Sequence, residues 1–315
     1  MKIALSLGSG GARGYAHIGI IEELEARGHE IVAVAGASMG ALVGGVYAAG
    51  KLPEFRDWAN ALTQSAVLRL LDPTLLGPGV IKADRVVGEV ADILGNVLIE
   101  DLAIPYTAVA TDLTAKREVW FQQGPLAMAI RASIAIPSVI TPVNLNGHIL
   151  ADGGVMNPVP LEPLAPVSAE ATVAVTLRGK PSAIRTVTAA DAEERPDWAE
   201  RFWRSAAELV ESDLVKNLAA RLPRKDKPSI ADLPDGDSTP KFDELPDHFK
   251  LADVISGSLD VMEGTIERYR MAANPADVLI SIPHDTASTY DFHRAATIAD
   301  VGREKAIAAF DAAGM

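Results

Sequence analysis

Residues 31–49 read IVAVAGASMGALVGGVYAA, and this stretch decides the fold. It begins with a continuous apolar run at 31–35, which is typical of a buried strand in a parallel sheet. Gly36 interrupts the run, and residues 38–49 then form a helical segment without a polar face. A helix that is apolar all round lies inside a large domain. The stretch therefore predicts a buried strand that turns sharply into a buried helix.

The same order of strand and helix occurs at the start of the chain, where a glycine-rich turn at 8–14 separates an apolar run from an amphipathic helix at 15–27. That first apolar run lies at 2–7. Later strand-like runs lie at 106–111, 118–122, 139–143, 149–151, 172–177 and 278–282, and later helical patterns at 251–270 and 294–312. This alternation predicts an α/β fold, a largely parallel central sheet sandwiched by helices.

We expect one catalytic domain over residues 1–315. Asn146-Gly147 is a turn signal that predicts a hairpin over 143–150. Residues 223–248 are rich in Pro, Asp and Lys, which predicts a mobile insertion at about 181–250. A strand pattern returns at 278–282, so the insertion interrupts the fold rather than dividing two domains, and the C-terminal part is expected to be helical.

Composition excludes several classes of function. The 315 residues carry a net charge of −13, which argues against nucleic acid as the main partner. The absence of cysteine excludes disulfides, thiolate metal sites and a thiol nucleophile. We find no secretory signal and no apolar run of about 18 residues, and therefore expect a cytoplasmic protein with at most peripheral membrane contact.

Residues 36–40, GASMG, match the nucleophile elbow G-x-S-x-G. The elbow is a tight strand-to-helix turn in which flanking glycines allow close backbone approach. It presents Ser38 at a helix N-terminus, where developing negative charge is stabilised. An ordinary serine N-cap fits the same five residues, but the predicted strand before them and helix after them favour the elbow.

Residues 8–14, GSGGARG, also follow a strand and open a helix. They fail the dinucleotide pattern G-x-G-x-x-G because Arg13 occupies the third glycine position, and they contain no Walker A lysine. The remaining interpretations are a tight turn without a ligand, or an oxyanion hole built from amides near Gly10, Gly11 and Ala12. In the second case Arg13 adds positive potential or braces the loop.

A serine hydroxyl needs a base to take its proton. The six histidines lie at 17, 29, 148, 248, 284 and 293, and none occupies an obvious catalytic setting. Asp152, followed by Gly153 and Gly154, can serve instead if it reaches the serine. Alone, the tripeptide DGG is more often a surface turn.

The segments GSGGARG, GASMG and DGG occur in the order found in the patatin-like phospholipase family, and the chain resembles its bacterial members. The stretch RASIAIPSVITPV (131–143) and the later DGGVMNPVP (152–160) add to the resemblance, which covers about residues 2–177. One departure is Ser9, where many relatives carry a third glycine.

The resemblance implies a patatin-like fold and a phospholipase or lysophospholipase type of lipid acyl hydrolase, with Ser38 as nucleophile and Asp152 as base of a Ser-Asp dyad. It assigns to the oxyanion hole Gly10, Gly11, Ala12, Arg13 and Met39. The motif glycines are Gly8, Gly14, Gly36, Gly40, Gly153 and Gly154. No metal or cofactor is expected, and the partner is a lipid ester.

Two other functions stay open. A Ser-His-Asp carboxylesterase would use a late histidine, His284 or His293, in place of the aspartate base. A non-catalytic nucleotide-binding or regulatory module would instead use residues 8–14 to hold a phosphate.

Overall fold

The computed structural model describes residues 1–70, 79–81, 84–181 and 251–315. The chain divides into two compact units, Met1–Arg185 together with Leu259–Met315, and Thr186–Ser258. Of the second unit, only residues 251–258 are described, and they form the first turns of a helix. Apart from its first residue, the predicted insertion at about 181–250 lies outside the described residues and stays a prediction.

Strands and helices alternate through most of the described chain. The strands are β1 (Lys2–Leu7), β2 (Glu30–Ala37), β3 (Gly79–Ile81), β4 (Tyr106–Asp112), β5 (Arg117–Phe121), β6 (Ser138–Ile140), β7 (Val143–Leu145), β8 (His148–Asp152), β9 (Ala171–Gly179) and β10 (Val278–Pro283). The described helices are α1 (Ala16–Ala26), α2 (Met39–Ala48), α3 (Leu52–Asn60), α4 (Gln64–Leu70), α5 (Asp84–Leu94), α6 (Leu126–Ser133), α7 (Leu251–Ala273) and α8 (Ala295–Ala313).

Eight strands form one sheet in the order β10-β9-β1-β2-β4-β8-β7, and β5 also pairs with β4. The strands from β10 to β4 are parallel, while β5, β7 and β8 join in antiparallel pairs. This mixed α/β architecture with a mainly parallel sheet confirms the predicted fold class. In such sheets the carboxyl ends of the strands share one edge, where sites are usually built.

The core confirms the prediction for the apolar helix at 38–49. In α2 the side chains of Ala41, Leu42, Val43 and Val46 are all buried. They belong to a cluster with the side chains of β1 and α1, including Leu5. Burial of apolar surface on this scale is the main stabilising contribution to the fold.

The segment around 138–150 differs in part from the prediction. The run 139–143 is not one strand, because β6 ends at Ile140 and pairs with β3 in a separate two-stranded sheet. Pro142 has no N–H to donate, which explains the break before β7. The hairpin is confirmed: β7 and β8 pair antiparallel, and Asn146 and Gly147 both have positive φ, 52° and 85°.

Four helices, α3 to α6, were not predicted from the sequence. They are short, between 7 and 11 residues. Helices of this length depend on tertiary packing more than on their own periodicity. Within the described ranges, no helix combines the length and the apolar character that crossing a bilayer requires.

Candidate active site

Strand β4 brings the ends of two other strands together. Ala37 at the end of β2 lies opposite Val109, and Asp152 at the end of β8 lies opposite Ala110. Because β5 pairs with the other edge of β4, β2 and β8 lie end to end along one edge. Val109 and Ala110 are consecutive residues. Ser38, which directly follows β2, is therefore brought next to Asp152.

Ser38 occupies a sharp turn between β2 and α2 and is buried, at 2% exposure. Its backbone, with φ 56° and ψ −126°, is in a region that non-glycine residues seldom adopt. The Ser38 N–H donates to the Ser133 hydroxyl over 2.9 Å, and that hydroxyl donates to the Val109 carbonyl over 2.6 Å. These bonds tie the strained turn to α6 and β4.

The two elbow glycines are required by close backbone contacts. A Cβ atom on Gly36 would lie 2.4 Å from the carbonyl carbon and oxygen of Gly40. A Cβ atom on Gly40 would lie 2.0 Å from the carbonyl oxygen of Leu7 in β1. Both neighbours are main chain, which cannot move aside as a flexible side chain can.

Asp152 is buried, at 4% exposure, and its main chain is anchored on both sides. Its N–H donates to the Ala135 carbonyl over 2.9 Å, and its carbonyl accepts from the Thr111 hydroxyl over 2.9 Å. The carboxylate oxygen Oδ1 accepts from the Gly154 N–H over 2.7 Å. The carboxyl group therefore has a defined position close to Ser38.

Burial raises the pKa of Asp152 to about 7, against smaller lowering effects that include hydrogen bonding to the Ser38 side chain and to the Gly154 N–H. The second oxygen, Oδ2, is buried and makes no well-formed hydrogen bond within the described chain. The Ser38 hydroxyl therefore lies close enough to lower the pKa of Asp152, but the two side chains do not form a hydrogen bond of good geometry. Long or poorly aligned hydrogen bonds are common in catalytic pairs before substrate binds.

The glycine loop at 8–14 packs directly against the elbow and against the DGG turn. A Cβ atom on Gly14 would lie 2.3 Å from Cβ of Met39, the residue after Ser38. One on Gly154 would lie 2.5 Å from the Ser9 hydroxyl oxygen, and one on Gly153 would lie 2.1 Å from the Val109 carbonyl oxygen. The three predicted motifs therefore meet in space.

The predicted oxyanion donors differ in whether their amides are already engaged. The Ala12 N–H donates to the Thr289 carbonyl over 3.0 Å. By contrast, the N–H groups of Gly10, Gly11 and Met39 have no hydrogen-bond acceptor among the residues that the structure describes. These three amides, and not that of Ala12, are available to an incoming oxygen.

Two side chains brace the glycine loop. Arg13 donates from Nε to the Gly10 carbonyl over 3.2 Å and from Nη1 to the His284 carbonyl over 3.1 Å. His17 is fully buried, and its Nε2 lies 2.9 Å from the Gly8 carbonyl oxygen. Burial lowers the pKa of His17 to about 4. The imidazole is therefore neutral at pH 7, and Nε2 must carry the hydrogen because a carbonyl only accepts.

Sequence reasoning did not predict the hydrogen bond of Ser133 to the elbow or that of His17 to the glycine loop. The only signal for His17 was its position on the first helix, directly after the glycine loop. Ser133 lies in the RASIAIP segment, which carries part of the family resemblance. Contacts between distant segments reveal both parts.

Five of the six histidines lie within the described residues, and none of these five hydrogen-bonds to the candidate pair. His248 lies outside the described residues. His29 contacts the N-terminus, His148 pairs with Asp112, and His284 contacts the Gly179 carbonyl. Within the described chain, no imidazole hydrogen-bonds to Ser38 or Asp152. This arrangement favours an aspartate over a histidine as the base.

Comparison with known proteins agrees with the three motifs. The family model described as patatin-like phospholipase matches residues 5–165. An uncharacterised NTE family protein of Mycobacterium tuberculosis is 43% identical over 334 aligned residues, which cover 99% of this chain and 92% of the relative.

Two animal proteins match about half of the chain. Neuropathy target esterase of Drosophila melanogaster is 32% identical over 181 residues, and patatin-like phospholipase domain-containing protein 6 of Mus musculus is 32% identical over 180 residues. Each match covers 55% of this chain and 13% of the animal protein. The family model and the near full-length bacterial relative agree with the three motifs that meet in the structure. The chain therefore belongs to the patatin-like phospholipase family.

Proposed function

We propose that this protein hydrolyses carboxylic ester bonds of lipids, with Ser38 as the nucleophile and Asp152 as the general base. The observation that carries the proposal is the end-to-end arrangement of β2 and β8 on β4, which brings a strained, glycine-flanked serine next to a buried carboxyl group. Family membership supports the reaction class, and the names of the animal relatives support a lipid ester as substrate.

In the first half-reaction, Asp152 accepts the Ser38 hydroxyl proton while the serine oxygen attacks the ester carbonyl carbon. The carbonyl oxygen becomes an oxyanion, which the free amides of Gly10, Gly11 and Met39 stabilise. Each such donor typically contributes about 3 to 4 kcal/mol of transition-state stabilisation. The proton on Asp152 then passes to the leaving alkoxide, and the alcohol departs from an acyl-serine.

In the second half-reaction, water replaces the departed alcohol. Asp152 takes a proton from the water, whose oxygen attacks the acyl carbon, and the same amides hold the second oxyanion. Collapse breaks the bond to Ser38, the proton returns to the serine oxygen, and a fatty acid leaves. The cycle needs no metal or redox partner.

The base must be ionised to accept a proton, so the pKa of Asp152 controls the acidic side of the pH profile. Because burial raises that pKa to about 7, we expect activity to increase with pH with a midpoint near 7. An ordinary exposed aspartate would place the midpoint at about pH 4.

Covalent labelling provides the test. A fluorophosphonate probe should modify Ser38, as located by peptide mass spectrometry, and Ser38→Ala should abolish both labelling and turnover of p-nitrophenyl butyrate and lysophosphatidylcholine. Asp152→Asn should lower kcat at least about 10³-fold while the fold is retained. Ser281→Ala, at an exposed serine on β10, and Asp112→Asn, at another buried aspartate, are the matched controls and should retain activity.

A fully active Asp152→Asn protein would disprove the dyad. If, in that case, activity is lost when His284 or His293 is replaced, the triad hypothesis replaces the dyad. Cytoplasmic location, peripheral membrane contact and the single-domain organisation stay predictions.

A further inference from the structure

Arg178 lies one residue before the end of β9, and its side chain is 13% exposed. One terminal nitrogen, Nη1, lies 3.3 Å from the hydroxyl oxygen and 3.5 Å from the carbonyl oxygen of Ser9 in the glycine loop. The other, Nη2, pairs with Glu263 on α7 and lies 3.2 Å from Asp260 on the same helix. Arg178 therefore links the glycine loop to α7.

The link continues to the proposed base. The Ser9 hydroxyl packs against Gly154, so closely that a Cβ atom on Gly154 would lie 2.5 Å from it. The Gly154 N–H in turn holds Oδ1 of Asp152 over 2.7 Å. Two residues, Ser9 and Gly154, thus stand between the Arg178 guanidinium and the carboxylate that takes the serine proton.

Charge provides a second connection between the same groups. Among the largest influences on the pKa of Asp152 are two ionised side chains, Glu263, which raises it, and Arg178, which lowers it. Glu263 is itself largely buried, and its burial raises its own pKa. The other neighbours that affect Asp152 are uncharged, the Ser38 hydroxyl and the Gly154 N–H.

We propose that Arg178 is a positioning residue of this active site, which holds Ser9 and the glycine loop in place and, together with Glu263, sets the charge around the Asp152 carboxyl group. This inference rests on the proposed function. It requires neither group to touch substrate. Its physical basis is that a nearby negative charge raises the pKa of a carboxyl group and a nearby positive charge lowers it, so the balance between Glu263 and Arg178 affects Asp152.

The two partners carry opposite charges, so neutralising them has opposite effects. Glu263→Gln removes a negative charge and should lower the midpoint of the acidic side of the kcat profile by about 0.5 to 1 pH unit. Arg178→Gln removes a positive charge and should raise that midpoint by a similar amount. Arg178→Lys keeps the charge but loses the forked guanidinium, which reaches Ser9 with one nitrogen and α7 with the other. The midpoint of its kcat profile should therefore stay near that of the wild type, while kcat decreases.

Glu267→Gln is the matched control. Glu267 lies one turn further along α7, is buried, and accepts a hydrogen bond from the Thr176 hydroxyl, but it is not among the largest influences on the pKa of Asp152. It should leave the midpoint unchanged. Profiles are measured with p-nitrophenyl butyrate, and circular dichroism verifies that each variant is folded at every pH used.

Opposite shifts in Glu263→Gln and Arg178→Gln, with none in Glu267→Gln, support the proposal. Shifts in the same direction, no shift in either variant, or an equal shift in the control overturn it. If the wild-type activity survives in Ser38→Ala, the proposed function fails instead. Ser38-dependent activity with unmoved midpoints rejects only the role of Arg178 and Glu263.

Discussion

The elbow at 36–40 and the glycine loop at 8–14 are both strand-to-helix turns, and they follow neighbouring parallel strands. Both contain close contacts at glycines, but they differ in what chiefly holds them. The elbow has the closer backbone packing, since a Cβ atom on Gly40 would lie 2.0 Å from the Leu7 carbonyl oxygen, and it has one hydrogen-bonded link through Ser133. The first part of the loop is held by hydrogen bonds, from the Gly8 N–H to the Val175 carbonyl, from the Ser9 N–H to the Pro158 carbonyl and from His17 to the Gly8 carbonyl.

The difference has a consequence for how the two turns respond to change. Main-chain atoms in close contact cannot move apart unless their strands shift, so an added atom at the elbow must disturb the sheet itself. Hydrogen bonds can be lost singly, so the loop should lose activity gradually while the protein stays folded. The buried ionisable groups also differ, since the elbow side holds a carboxyl group with a raised pKa and the loop side an imidazole with a lowered pKa.

The largest expected effect is that of Gly40→Ala. Its Cβ atom would lie 2.0 Å from the Leu7 carbonyl oxygen, so we expect a loss of about 4 kcal/mol or more in the free energy of unfolding. Gly28→Ala is the control, because Gly28 has φ 74° and nothing within 4 Å, and should lose only about 1 to 2 kcal/mol. Urea denaturation measures both. Equal losses would contradict steric packing as the cause.

Asp152→Asn should have the next largest effect, and it should be stabilising. The pKa of the folded carboxyl is about 7 against 3.8 for an ordinary aspartate, so the wild type loses stability as pH rises through this window. At about 1.4 kcal/mol per pKa unit, the variant should gain up to about 4 kcal/mol at pH 8 and nothing below about pH 4.

Denaturation from pH 4 to pH 8 tests this gain. Asp112→Asn is the comparison, because hydrogen bonding, first from the Ala115 N–H, lowers the pKa of Asp112, and this variant should lose stability at pH 8. A stability difference for Asp152→Asn that does not change with pH would show that folding does not raise the pKa of Asp152.

His17→Gln probes the loop. The contribution of His17 to the stability of the wild type should depend on pH in the opposite direction to that of Asp152. It should lose about 2 to 3 kcal/mol at pH 8 and lower kcat about 10-fold with little change in KM, because the hold on Gly8 weakens. The folded imidazole has a pKa of about 4 against 6.5 for an ordinary histidine, so the wild type loses stability as pH falls through that window.

The deficit of His17→Gln should therefore shrink towards pH 4. The same urea titrations, with kcat and KM measured on a soluble ester, provide the check. A KM effect without a kcat effect would place His17 in substrate binding instead.

Ser133→Ala should have the smallest effect. It removes the acceptor for the Ser38 N–H and the donor to the Val109 carbonyl, for which we expect a loss of about 1 to 2 kcal/mol. The elbow should persist, since its glycines still pack, and kcat should fall only a few-fold. Ser6→Ala, which removes a buried serine bond to the Pro160 carbonyl away from the elbow, should lose similar stability and keep full kcat.

Sequence reasoning predicted the parallel sheet, the hairpin and the burial of α2 because these depend on local patterns of apolar residues and turn residues. It did not predict the short helices α3 to α6, nor the break at Pro142 that divides the run 139–143. It also treated the Ala12 amide as a possible oxyanion donor, whereas in the structure that N–H is engaged by Thr289. Thr289 is 277 positions away, and no pattern in the sequence connects the two residues.

By itself, the sequence determined the fold class, the sharp turn at the serine and the three segments of the candidate site, since glycine spacing and apolar periodicity act over a few residues. Only the tertiary structure decided that β2 and β8 meet end to end on β4, and that Arg178 and Glu263 flank the carboxyl group. Strand order and long-range polar contacts depend on the packing of the whole sheet, so residues far apart in the chain become neighbours only when the chain is folded.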